Sequence, residues 1–185
     1  NRTQLSNLNI FRKNDIRGFI TAKGELKGKI NDPDISINFN VDYPHYKGIR
    51  IREIWEGDIK NDKNKFLLNM KNRYSPIPSF LSIKFDSKLK IDNANFIRVF
   101  NSKQGSIEIV REDYKYNWKA NNFPLDELEL SISKNQFDKI NGIINGEGSI
   151  SLDQSYLDGR MAWSLGKYRN IKLANSLFDF SLKNN

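Results

Sequence analysis

The sequence predicts an all-β chain, a curved and mostly antiparallel sheet with one apolar face and one charged face. Apolar and polar residues alternate at period two through most of its length. Clusters of Gly, Pro, Asn and Asp break that alternation at intervals of about eight to twelve residues, as the turns of an antiparallel chain do. No comparably long stretch repeats its apolar residues at helical spacing. Successive side chains of a strand point to opposite faces, so this pattern sends the large apolar residues to one side of the sheet.

Asp34 to Asp42 is the clearest strand, with Ile35, Ile37, Phe39 and Val41 on one face and polar residues on the other. Ile49 and Ile51 follow the turn at Tyr43-Pro44, and Phe66, Leu68 and Met70 follow Asn61-Asp62-Lys63-Asn64. Leu81, Ile83 and Phe85 follow Pro76 and Pro78. Further along come Ile107 and Ile109, then Tyr116 and Trp118, then Ile150 and Leu152, then Met161, Trp163 and Leu165, and finally Phe178 and Phe180. Phe123 to Leu128 is read as a short lead-in to a strand carrying Leu128, Leu130 and Ile132. The whole amounts to roughly fourteen strands.

Composition narrows the function. The 185 residues carry 30 basic and 22 acidic side chains, a formal charge of +8, yet 38% are hydrophobic, too many for a disordered tail. No cysteine is present and His45 is the sole histidine, which excludes a disulfide framework, a thiolate metal site, a multi-histidine metal centre and a thiol nucleophile. The sequence therefore predicts no enzyme, no catalytic residues, no metal and no cofactor. His45 lies in a segment bounded by Pro44 and Gly48 and reads as a loop histidine. Acids at Asp32 and Asp34, and at Asp126, Glu127 and Glu129, flank turns, where acids are common without catalytic or calcium-binding roles. The basic residues are scattered with no run of five, so nucleic acid is not an expected partner.

An internal echo is present. Residues 16–26 resemble residues 140–150 at a constant offset of 124, so that Gly18 matches Gly142 and Gly24 matches Gly148. The chain reads as one piece of a longer repeat sheet, with candidate units at 16–139 and 140–185. An apolar sheet face must be covered, either by a second layer in a sandwich or barrel or by curling into a trough filled with apolar ligand. Periodicity leaves both open.

Gly24-Glu25-Leu26-Lys27-Gly28, followed by Pro33 and the alternation after it, resembles the openings that recur in the TamB family, the inner-membrane partners of the translocation and assembly module. Phe123-Pro124-Leu125 followed by Ile140-Asn141-Gly142 and Gly146-Glu147-Gly148 resembles the same family, and the likeness spans about residues 16 to 182. The resemblance implies a U-shaped sheet with a hydrophobic interior in the periplasm or the chloroplast intermembrane space. It implies an inner-membrane anchor and an outer-membrane barrel partner of the BamA or TamA type, both engaged by segments outside this sequence. It further implies a role in phospholipid movement and outer-membrane protein assembly, with phospholipid acyl chains lying against the apolar residues named above. The alternative is a secreted or surface β-sandwich that binds polysaccharide or protein through Tyr114, Tyr116 and Trp118.

Overall fold

The computed structural model describes residues 2–7, 9, 12, 15–29, 32–46, 48–62, 65–133, 136–153, 155–168 and 171–183. Its elements are β1 (Thr3–Gln4), a 3-10 turn (Leu5–Asn7), β2 (Ile16–Lys29), β3 (Asp32–Tyr46), β4 (Ile49–Ile51), β5 (Ile54–Asp62), β6 (Lys65–Asn72) and β7 (Phe80–Phe85). There follow β8 (Ile91–Phe100), β9 (Lys103–Glu112), β10 (Lys115–Pro124), β11 (Leu128–Ser133), β12 (Gln136–Ser151), β13 (Tyr156–Tyr168), β14 (Ile171–Lys172) and β15 (Ser176–Lys183). All fifteen strands belong to one sheet, and every pairing between them is antiparallel.

Three long strands fork, β3, β12 and β13, and the first two close the sheet on itself. One edge of β3 carries β2, while its other edge carries β5 along residues 36–42 and β4 at His45 and Tyr46. One edge of β12 carries β13, while its other edge carries β10 and then β11. Two routes therefore lead from β3 to β12, a long one through β5, β6, β7, β8, β9 and β10, and a short one through β4 and β11. Together they close a ten-strand antiparallel barrel. The sheet is therefore not the open U expected from the sequence, and among the described residues it has no second, separate layer of a sandwich. The physical reason is the fork: at Tyr43 the backbone turns left-handed (φ 52), and beyond it β3 exchanges β5 for β4.

Contacts across the lumen hold the closure. Trp55 on β5, Phe96 on β8 and Phe123 on β10 belong to strands that are not neighbours, yet their rings meet edge-to-face at centroid distances of 5.8 and 5.2 Å. Beside them Arg98 of β8 is 1% exposed and donates from its guanidinium to the carbonyls of Pro124 and Asp126, both at 2.6 Å. Burial pulls the Arg98 pKa down, and Glu53, 3.9 Å away, pulls it back up together with Asp126 and Glu127. Phe123, Leu128 and Ile140 form the core at this end, packed against Ile51, Phe96 and Ile107. A second core forms where Leu5, in the 3-10 turn, covers Phe39 and Val41.

The two copies of the sequence echo share a backbone geometry. Gly18 and Gly142 both adopt φ +127, and at each the pairing with the next strand slips by one residue. A β-carbon at Gly18 would lie 2.9 Å from the Asp42 carbonyl, and one at Gly142 2.2 Å from the Trp163 indole nitrogen, so both positions require glycine. Facing them across the bulge, Tyr43 and Leu165 both take left-handed backbone (φ 52 and 53). Beyond the bulge Ile16 pairs with Tyr46, and Ile140 pairs with Tyr168.

Replacing Arg98 with methionine leaves the carbonyls of Pro124 and Asp126 without their donor. The variant is expected to lose about 3–5 kcal/mol in urea unfolding, where an exposed control such as Arg160→Met loses less than about 1 kcal/mol.

Candidate functional site

The candidate site is the apolar face of the sheet, and cross-strand register builds it row by row. One row runs Gly24, Ile37, Ile59, Leu68, Ile83, Ala94, Ile109, Trp118, Gly148, Gly159 and Phe180 from β2 to β15. The row beside it runs Ala22, Phe39, Gly57, Met70, Leu81, Phe96, Ile107, Ala120, Gly146, Met161 and Phe178. No charged residue stands in either row. Period-two alternation in every strand, kept in phase by antiparallel register, makes one continuous hydrocarbon surface.

The other expected lining residues flank these rows. Phe66 faces Phe85 at the β6–β7 end, Tyr116 faces Ile150, and Val41 faces Trp55. Trp163 lies opposite Ile144, and its indole N–H donates to the Asn141 carbonyl at 3.1 Å. Ile35 pairs with Leu26, and its backbone N–H donates to the Asn61 side chain at 2.7 Å. Ile51 lies opposite Leu128 inside the closure, while Ile49 and Leu130 face each other where both are more exposed. Leu152 sits in the turn after β12, with its N–H on the Tyr114 carbonyl. Leu165 is 67% exposed with left-handed backbone at the bulge, so it does not line the apolar face. The sequence analysis leaves Ile59, Phe96, Phe123 and Ile144 out of the lining; Ile59, between Asp58 and Lys60, is legible by alternation, whereas Phe96 is followed by Ile97.

Three glycines stand beside Trp118, each also close against the backbone of the neighbouring strand. Positions where β-carbons of Gly146, Gly148 and Gly159 would stand lie 3.3, 2.8 and 2.7 Å from its ring atoms, so the indole lies across β12 and β13 where side chains are missing. Phe180 of β15 stacks on it, with centroids 6.1 Å apart and planes 10° from parallel. Its ring nitrogen is buried without a hydrogen-bond partner. Tyr114, at the β9–β10 turn, is 87% exposed and apart from this stack, so the three aromatics do not form one external platform.

Charges near the closure are engaged. Glu129, 3% exposed, accepts from Arg50 at 2.5 Å and Arg52 at 2.6 Å. Asp126 pairs with Lys103, and Glu127 pairs with Lys139. A cavity of about 740 Å³ at this end is lined by Tyr43, Arg52, Glu53, Arg73, Tyr74 and Phe100 among others, but Arg52 is held by Glu129 and Arg73 lies 3.8 Å from Glu56. Among the described residues no cluster of three or more His, Cys, Asp or Glu is placed to hold a metal ion. His45 is a buried strand residue of β3, not a loop residue, opposite Arg17 and Arg50.

Family models, curated proteins and solved structures compared with this chain return no match. Among the described residues no helix is long and apolar enough to cross a membrane, which says nothing of strands.

Burial holds the His45 pKa below its ordinary 6.5, opposed by Asp15 and reinforced by Arg17 and Arg50. As pH falls through 6.5 the unfolded chain takes up the proton before the folded one, so stability is lost in that direction. Urea midpoints of the wild type should fall from neutral pH towards acid, and those of His45→Gln should fall less over the same window. Gly148→Ala puts a methyl 2.1 Å from the Asp158 carbonyl and 2.8 Å from the Trp118 indole, and the shift it forces is expected to cost about 1–3 kcal/mol, with a red shift in tryptophan emission as the ring is displaced.

Proposed function

We propose that this chain is a section of a hydrophobic conduit that shields phospholipid acyl chains between an inner and an outer membrane. The observation that carries the reading is the pair of unbroken apolar rows, which cross the sheet from β2 to β15 without one charged side chain. These rows are incompletely covered. Phe178 is 42% exposed, whereas Phe39, Ala94 and Ala120 are buried. Ile37, Ile83, Phe85 and Ile109 are half-buried, whereas Trp55, Phe123 and Leu128 at the closed end are buried.

Energetics favours an acyl chain as the occupant. Each exposed CH₂ costs about 0.8 kcal/mol in water, so one chain of common length costs on the order of ten kcal/mol. A wall of Ile, Leu, Met and Phe cancels much of that cost and offers no directional bonds, so a hydrocarbon tail slides along it without a deep trap. The lumen-crossing rings and Arg98 block one end, and the tail therefore enters from the β6–β7 side, past Phe66 and Phe85. The periplasmic setting, the inner-membrane anchor and the docking to an outer-membrane barrel belong to the same proposal, as does the contribution to outer-membrane protein assembly. They rest on the likeness of the glycine and proline spacing to TamB sequences.

The purified chain is expected to take up a fluorescent fatty acid and to carry lipid in native mass spectrometry. Phe85→Asp and Ile109→Asp, both half-buried and away from the closure, should weaken uptake at least tenfold while the far-ultraviolet circular dichroism is kept. Leu165→Asp, off the apolar face, should leave uptake unchanged. A wild-type chain that neither carries lipid nor takes up the probe rules the proposal out.

A further inference from the structure

We infer that the cavity at the closed end is a binding site for a neutral oligosaccharide, with Tyr43 and Tyr74 as its stacking rings. The cavity encloses about 740 Å³, a size at which small-molecule sites are built. Its walls come from the loop between β6 and β7, the turn between β8 and β9, and the stretch that joins β4 to β5.

The first observation is a braced loop that holds an aromatic ring in water. Residues 73–79 join β6 to β7. The Arg73 backbone N–H donates to the Ile54 carbonyl at 2.9 Å, that of Ser79 to the Asn72 side chain at 2.7 Å, and the Ser75 hydroxyl to the Ile77 carbonyl at 2.6 Å. Pro76 and Pro78 fix the backbone on either side of Ile77. Ser79 is buried, and its hydroxyl accepts from the Val99 N–H at 2.9 Å, which ties the loop to β8. This ordered loop nevertheless presents Tyr74 at 73% exposure, with Ile77 exposed beside it. Tyr43, on the same cavity, is half-exposed, and its N–H donates to the Glu53 carbonyl at 3.0 Å. Asn101 and Ser102, both left-handed (φ 47 and 65), make the two-residue turn from β8 to β9 and add polar groups to the wall. Rings and amides fixed in place before a ligand arrives lower the ordering cost of binding.

The second observation is the balance of charge and the hydrogen bonds left unmade. Arg52 faces Glu129 at 2.6 Å, Arg73 faces Glu56 at 3.8 Å, and Glu53 faces the buried Arg98 at 3.9 Å. A wall so balanced selects neither a cation nor an anion. The last two pairs are too long for hydrogen bonds, so the Arg73 guanidinium keeps donors to offer and the Glu53 carboxylate takes no hydrogen bond from the protein, its Oε2 being buried without a donor. A ligand must therefore donate to Glu53 and accept from Arg73 while carrying no net charge. Saccharide hydroxyls do both, and the C–H faces of a sugar ring lie against tyrosine rings. An ammonium zwitterion would also meet both groups, but Tyr74 and Phe100 each already carry a guanidinium over the ring, Arg73 at 5.4 Å and Arg98 at 5.6 Å. The site does not depend on the acyl-chain reading.

Isothermal titration with cellohexaose, chitohexaose and maltohexaose is expected to give saturable binding of at least one. Tyr74→Ser should weaken that binding by about tenfold or more with the far-ultraviolet circular dichroism unchanged, and Tyr74→Phe, which keeps the ring, should retain it. Glu53→Gln should weaken it too, whereas Tyr114→Ser, at the opposite end of the barrel, should not. Uptake of the fluorescent fatty acid by Tyr74→Ser should match the wild type, which separates this site from the apolar rows. Binding of none of the three hexasaccharides overturns the inference, as does binding that Tyr74→Ser leaves unchanged. Saturable binding of glycerophosphoethanolamine, lost in Glu53→Gln, by a chain that binds no hexasaccharide assigns the cavity to a zwitterion and overturns it as well.

Discussion

The structure depends on a guanidinium held in an apolar lumen. Arg98 stands in register with Ala94 and Phe96, at a position where alternation calls for hydrocarbon, and its charge is met by the carbonyls of Pro124 and Asp126. Those carbonyls belong to the segment that ends β10 and turns into β11, where Leu128 donates to the Leu125 carbonyl and Glu127 takes left-handed backbone. Tethering this turn to β8 places β11 where it meets β4 over three residue pairs, and that short contact completes the ring. A buried charge is costly unless satisfied. Here its satisfaction and the closure are one event, and Glu129 repeats the arrangement on the opposite face of β11 with Arg50 and Arg52.

Forking is the second constraint. A straight strand offers each edge to one neighbour, so a strand that serves two on one edge must bend between them. The chain makes this bend twice by the same means, a glycine at φ +127 opposite a left-handed Tyr43 or Leu165. In the first copy the fork turns inward and both branches find partners, β6 for β5 and β11 for β4. In the second copy the branches β14 and β15 extend the sheet beyond the barrel. The same local geometry thus produces a closed wall in one place and a flange outside the barrel in the other, and neighbouring strands decide which.

How much of this was legible follows from range. Alternation is local, so the strands, their apolar faces and the echo between residues 16–26 and 140–150 could be read from the sequence. Closure is not local: Ile51 meets Leu128 across more than seventy intervening residues, and the alternation of Ile49 and Ile51 marks β4 as a strand without naming the strand it pairs with. Arg98 gave a clue, a charge on an apolar face between Phe96 and Phe100, which fits a strand whose end packs against carbonyls. Glu129 gave none, because its place opposite Leu128 is where a solvated acid ordinarily falls. The glycines at 146, 148 and 159 stand against the backbone of the neighbouring strand and against the Trp118 indole, and tertiary packing alone reveals this.

The division between a dry end and a half-covered expanse bears on what the apolar face can do. At the dry end rings from strands that are not neighbours interlock, and a guest would have to separate Trp55, Phe96 and Phe123. Away from it the facing residues are Ile, Leu, Met and Phe that meet water, a state that costs free energy in proportion to area unless a guest takes the place of solvent. A satisfied closure and a half-covered surface lie on one continuous sheet, and under the proposed function the first fixes the curvature while the second is the face offered to hydrocarbon.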